Sequence, residues 1–267
     1  MRLLFIGDVV GDRGVHMIET YLPQLKRDYK PQATIVNGEN STPVGRGISQ
    51  AIYKTLLASG ADVVTMGNHT WDNKEIFEFI DGTTKLVRPA NYPGKDVPGR
   101  GWTQLKVNQA TLAVINLQGR VFLPPLDDPF TAADALVTEI RKTTPIIFLD
   151  FHAEATSEKT RDGDLSSGKG VRSCWDAHPR TDHGWSDLTW WDSIYDGCRD
   201  DWPDNGILGM QSEGVISRFL TQRPTRYVVD EDEKSILSGC VIDINDQNGQ
   251  ATKIKPILIS DAHPYFN

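Results

Sequence analysis

Six side chains able to hold a metal or move a proton fall at four similar places in the 267-residue sequence: Asp8, Glu39 and Asn40, Asn68 and His69, and His152. Each place follows a short apolar run: Arg2–Ile6, Ala33–Val36, Val63–Met66 and Pro145–Leu149. Such runs, closed by glycine or by polar residues, are read as buried strands. The donors then lie at C-terminal strand ends, where open α/β sheets gather ligands. Taken singly, each has a plainer reading: Asp8 as a turn residue between Gly7 and Gly11, Asn68 as a local hydrogen-bonding amide, His69 as a packed ring. Four strand ends carrying only oxygen or imidazole donors, with no thiolate, point instead to manganese, iron, zinc or cobalt rather than a structural zinc cluster.

The elements that must position these residues are legible around them. Val15, Ile18, Leu22 and Leu25 recur at helical spacing and predict an amphipathic helix on the sheet. Further helices are expected over Ile48–Leu57, Asn73–Ile80, Ala132–Ile140 and Val215–Leu220. A hairpin is expected over Trp102–Leu117, with strands Gln104–Val107 and Thr111–Leu117 around Asn108-Gln109. Gly119–Pro129 reads as a polar, proline-rich loop. Arg226–Val229, Ser235–Ile244 and Ile254–Ile259 read as strands, with Asp246–Gly249 as the last turn and Cys240 in the core. Strands alternating with helices indicate an α/β protein, and no repeat or linker divides residues 1–267, which are expected to form one domain.

A net charge of −8 argues against non-specific binding to nucleic acid or to an anionic membrane. It leaves room for a nucleotide substrate, since bound cations can reverse the local sign. No apolar run is long enough to span a bilayer, and the sequence begins directly with a strand. Cys174, Cys198 and Cys240 lack a metal-binding or redox spacing, so a reduced, cytoplasmic protein is expected. His16 and His263 are read as ordinary histidines.

The motifs Gly-Asp-Val-Val-Gly (7–11), Asn-Gly-Glu-Asn (37–40), Met-Gly-Asn-His-Thr-Trp-Asp (66–72), Arg-Pro-Ala-Asn (88–91), Leu-Pro-Pro-Leu-Asp-Asp-Pro-Phe (123–130) and Phe-His-Ala-Glu-Ala-Thr-Ser-Glu-Lys (151–159) together resemble one family. The chain is similar to bacterial calcineurin-like metallophosphoesterases, and within them to the 2′,3′-cyclic-nucleotide phosphodiesterases. Val10 stands where the wider superfamily has a histidine, as in this subfamily, with Asn40 serving instead. The resemblance implies a four-layer α/β/β/α sandwich of two mixed sheets flanked by helices. It implies two divalent or mixed-valence metal ions, with iron or manganese favoured over zinc or cobalt. Asp8 and Asn40 would hold one, Asn68 and His152 the other, and Glu39 would bridge them. A metal-bridging hydroxide would attack the phosphodiester in line, and His69 would protonate the leaving alkoxide. The implied partner is a small phosphodiester or cyclic nucleotide; a homo-oligomer is compatible with the family. A phosphomonoesterase, or a catalytically impaired member acting as a regulatory binding protein, is the alternative.

One segment breaks the pattern. The resemblance requires Gly-Thr-His-Thr-His on a strand after His152, and the sequence lacks it. Between Thr160 and Asp204 neither strand alternation nor helical period persists, and Trp175, Trp185, Trp190, Trp191 and Trp202 account for five of the seven tryptophans. That aromatic content is unlike disorder, and an aromatic lid is a further reading. A one-base change of frame explains more: with permitted codons, Trp175–Arg180 becomes Gly-Thr-His-Thr-His, and Val171–Cys174 becomes an apolar strand leading into it. Residues of about 160–204 therefore read as a compensated frameshift. As written, the chain is expected to lose a strand and one imidazole from each metal; His178 and His183 lie within the altered segment and are given no role.

Overall fold

The computed structural model describes residues 1–155, 158, 210–229, 235–260 and 264–265, together with the backbone of 172–176. Strand β1 (Arg2–Ile6) leads through Asp8 into helix α1 (Gly11–Tyr29), which Gly11 opens at φ +64°. Strand β2 (Ala33–Asn37) is followed by α2 (Gln50–Ser59), whose first turn is capped by the Ser49 hydroxyl accepting from Ile52 N. Strand β3 (Val63–Thr65) precedes the short helix α3 (Ile76–Phe79), and β4 (Leu86–Val87) completes this half. The helix expected over Asn73–Ile80 is therefore shorter: Asn73–Glu75 form turns, with the Asn73 side chain accepting from Glu75 N.

The hairpin is β5 (Trp102–Val107) and β6 (Ala110–Gln118), turning at Asn108 with φ +55°. Helix α4 (Pro129–Ile140) starts three residues earlier than its apolar period, because Asp128 caps it and Pro129 suits the first turn. Strand β7 (Ile146–His152) continues beyond Leu149 through His152. Helix α5 (Ser212–Thr221) and strands β8 (Arg172–Asp176), β9 (Leu237–Ile244) and β10 (Ala251–Ile259) complete the described elements.

Two mixed sheets result, in the orders β10-β9-β1-β2-β3-β4 and β5-β6-β7-β8. In the first, β1 to β4 run parallel and β9 and β10 join antiparallel. In the second, only the β5–β6 pair is antiparallel. One apolar face of the larger sheet (Leu3, Phe5, Ile35, Cys240) meets the smaller sheet, and Phe5 packs on Phe148 with ring centroids 5.2 Å apart. The opposite face (Leu4, Ile6, Val36, Val64) is covered by Ile18, Leu22 and Leu25 of α1 and Leu56 of α2. On the outer side of the smaller sheet lie Phe130, Ala133, Val137 and Ile140 of α4. The order helix, sheet, sheet, helix is the four-layer sandwich. Phe5, Phe148 and Phe151 are fully buried, each worth about 1.5–3 kcal/mol.

Two expectations need correction. The smaller sheet keeps a strand after β7: Arg172–Asp176 pairs parallel with it, Phe148 opposite Arg172 and His152 opposite Asp176. Strand pairing is made by main-chain groups, so a free edge of β7 can recruit backbone whose side chains lack a strand pattern. Arg226–Val229 forms no strand; it contributes one bridge, Val229 to Met210. The rest of residues 160–204, including His178 and His183, lies outside the described residues.

Candidate metal centre

Backbone hydrogen bonds draw the donor-bearing loops together. Val9 N donates to Asn37 O (3.0 Å) and Gly11 N to Asn40 O (2.9 Å), joining the chain after β1 to the chain after β2. Gly38 N donates to Thr65 O (3.0 Å), tying that same turn to the end of β3. These are the spacings that turn three strand ends into one polar cluster.

Asp8, Glu39, Asn40 and His152 are all buried, at 3%, 0%, 8% and 5% exposure. Asn40 Nδ2 lies 2.5 Å from Asp8 Oδ2, and His152 Nδ1 lies 2.9 Å from Glu39 Oε1. The other Glu39 oxygen accepts from the backbone N–H of His69 at 2.9 Å. A Cβ at Gly67 would collide with the Glu39 carboxylate, so the glycine makes room for it. Asn68 and His69 follow on a turn and are half-buried. Thus the structure brings Asp8 to Asn40, and Glu39 to both His152 and the His69 backbone. The Asn68 amide makes no hydrogen bond among the described residues.

The donor set fits a bound cation. Glu39 Oε1 and Asn40 Oδ1 are buried oxygens that accept no aligned hydrogen bond among the described residues. Leaving such atoms unsatisfied costs about 1–3 kcal/mol each, which a coordinated cation offsets. Among the described residues no three His, Cys, Asp or Glu side chains converge, and the Asn40 amide, against Asp8, is the amide that the structure brings to the cluster. Burial disfavours ionised Glu39, but the charge and close ring contact of His152, the charge of His69 and the His69 backbone N–H outweigh it and hold the carboxyl below its usual range. A buried carboxylate held in its ionised form is a donor suited to a cation.

Several participants were not singled out in the sequence. Asp72 Oδ2 lies 2.8 Å from His69 Nδ1 and fixes the ring; the signal was an acid three residues on, within the same turn. Asn37, Asn116 and Asp150 form a buried network below the donors. Asn37 Oδ1 accepts from Glu39 N (3.1 Å), and its Nδ2 donates to Asp150 Oδ2 and Met66 O (both 3.3 Å). Asn116 Nδ2 also donates to Asp150, at 3.2 Å to the carbonyl and 3.3 Å to the carboxylate. Trp71 stacks on Phe77 and tilts against Tyr92, at 5.1 and 5.6 Å between centroids. Burial raises the Tyr92 phenol, with the charges of Glu39 and Asp72 adding to it.

The sequence model of the YmdB-like protein family matches residues 4–170 and 202–257, leaving out 171–201. The chain is 52% identical to the 2′,3′-cyclic-nucleotide 2′-phosphodiesterase of Bacillus subtilis (strain 168), with 100% of both chains covered. A solved structure of a hypothetical protein from Thermus thermophilus superposes with a TM-score of 0.82 at 30% identity, covering 97% of this chain and 99% of that one. A novel phosphatase from Mycoplasma pneumoniae gives 0.83 at 27% identity, covering 97% and 93%.

Proposed function

The chain belongs to the YmdB-like protein family, and from that premise we propose that it is a metal-dependent phosphodiesterase that opens 2′,3′-cyclic nucleotides. The observation that carries the reading is Glu39: fully buried, seated on Gly67, in contact with His152, and with one oxygen short of a hydrogen bond among the described residues. Asp8 and Asn40 would hold one divalent cation, Asn68 and His152 a second, and Glu39 would bridge them. The donors suit iron or manganese, with zinc or cobalt also served by carboxylate, amide and imidazole. When bound, two such cations neutralise phosphoryl oxygens and acidify water near neutral pH.

The chain's own groups supply the rest. Because Asp72 engages His69 Nδ1, Nε2 is the nitrogen that delivers a proton to the departing alkoxide. A cyclic diester has a poor leaving group, so this proton transfer matters most for such a substrate. The buried amides of Asn37 and Asn116 hold the strand ends in register, so donor geometry is set before the substrate arrives. The work is assigned to the cytoplasm and to a small phosphodiester.

A second reading has its own observation. The family match leaves out residues 171–201, where the missing histidine pair belongs, and this favours an impaired member that binds without turning over. Steady-state hydrolysis of 2′,3′-cyclic AMP separates the two, with p-nitrophenyl phosphate as the monoester control. Turnover of the cyclic diester well above the monoester supports the diesterase. Full metal loading without turnover of either supports the impaired member.

A further inference from the structure

A cavity of about 430 Å³ lies beside the donor-bearing loops, between the chain after Asn40 and the chain after α5. Arg46, Arg218 and Arg226 line it, with Tyr227 and an apolar wall that includes Val44 and Met210. Among the described residues no acidic side chain contributes to the lining, in a protein whose net charge is −8. None of the three guanidinium groups has a carboxylate partner among the described residues. The Arg218 guanidinium lies over the Tyr227 ring, 5.5 Å from its centroid, and forms a flat surface.

The three arginines are exposed, so water and salt screen their mutual repulsion. A phosphoryl group that enters is offered the forked donors of the arginines that line the cavity, a shape that matches phosphate oxygens. The stacked Arg218–Tyr227 surface and the apolar wall suit a flat ring attached to that phosphoryl group. The volume is that of a small-molecule site.

We propose that this cavity binds a phosphorylated nucleoside at a site separate from the metal centre. Its walls connect it to that centre. Gly45 and Gly11 pack so closely on Val229 that neither has room for a Cβ, and Met210 closes on Gly45. The loop that carries Arg46 is the continuation of Asn40, and Thr42 Oγ1 fixes it by donating to Arg46 O at 2.6 Å. A ligand held by Arg46 therefore bears on the loop that presents Asn40.

The test is calorimetric titration of the full chain with 5′-AMP, with inorganic phosphate and adenosine as separate probes. AMP is expected to bind more tightly than either fragment, and its affinity is expected to fall at least ten-fold in R218Q/R226Q and to weaken with added salt. R46Q, altered on an exposed loop, serves as an independent variant, and circular dichroism confirms that each variant is folded. D8A removes a proposed metal ligand and is expected to leave AMP affinity within two-fold of wild type. If D8A abolishes AMP binding while the folded arginine variants keep it, AMP occupies the metal centre and the proposal is overturned. Failure of AMP to bind at millimolar concentration overturns it as well, and neither result bears on the hydrolysis of a cyclic diester.

Discussion

Replacing Asn37 by leucine, nearly the same size, removes a polar junction without opening a cavity. The Asn37 side chain serves three buried groups: it accepts from Glu39 N and donates to Met66 O and to the Asp150 carboxylate. Each lies in a segment that carries a proposed ligand: Glu39 itself, the chain into Asn68, and the strand into His152. Leucine leaves all three one partner short, at about 1–3 kcal/mol per buried group. Asp150 keeps the Asn116 amide, and a buried leucine returns some apolar stabilisation, so the low end applies. The expected loss is about 3 kcal/mol, or a melting temperature lowered by about 6–12 °C for a chain of this size. The assay is thermal unfolding with and without added manganese, together with metal content. The stabilisation gained from manganese should shrink in Asn37→Leu more than in Asn116→Leu, which severs only contacts to Asp150. The swapped pair Asn37→Asp/Asp150→Asn should recover part of what Asn37→Asp loses. A melting point for Asn37→Leu within about 2 °C of wild type, with metal content unchanged, would refute this account of how the strand ends are held.

Asp72→Asn should slow hydrolysis of 2′,3′-cyclic AMP by about ten-fold or more while leaving bis(p-nitrophenyl) phosphate, whose leaving group needs little protonation, within about three-fold; equal losses on both would remove Asp72 and His69 from proton delivery. Gly67→Ala should displace the Glu39 carboxylate, and metal analysis should find less bound cation than in wild type. The Arg2 hydrogen bond holds the Asp243 carboxyl below its usual range. Its stabilisation is therefore complete above the unfolded value of about 3.9 and is lost as pH falls through the lower folded value. The melting-temperature gap between wild type and Asp243→Asn should be present at pH 7 and close in strong acid; a gap independent of pH contradicts the pairing. Resequencing the codons for Lys159–Gly206 should reveal compensating insertions and deletions if the frameshift reading holds, and an unchanged sequence points to the impaired member.

The layers were legible because each strand is a short apolar run and each helix on the larger sheet keeps its period, as Ile18, Leu22 and Leu25 do on α1. The pairing of Asp8 with Asn40 and of Glu39 with His152 was legible because each of these residues sits where such a run stops. Asp150 was harder to read: it lies inside an apolar strand, and only the facing sheet supplies its Asn37 partner, 113 residues away. Asp72 lay within a quoted motif, but its value depends on the turn that folds it back onto His69. Strand β8 was missed because main-chain pairing with β7 leaves no side-chain alternation to detect. The bridge at Val229 was overread as a strand because an alternating tetrapeptide looks the same whether or not an edge is available.

The most direct test measures metal content and 2′,3′-cyclic AMP hydrolysis together, on the wild-type chain and on Glu39→Gln. The account predicts about two metal ions per wild-type chain, turnover that a chelator abolishes and manganese restores, and loss of both metal and turnover in Glu39→Gln. Unchanged metal content and turnover in a folded Glu39→Gln protein would contradict it.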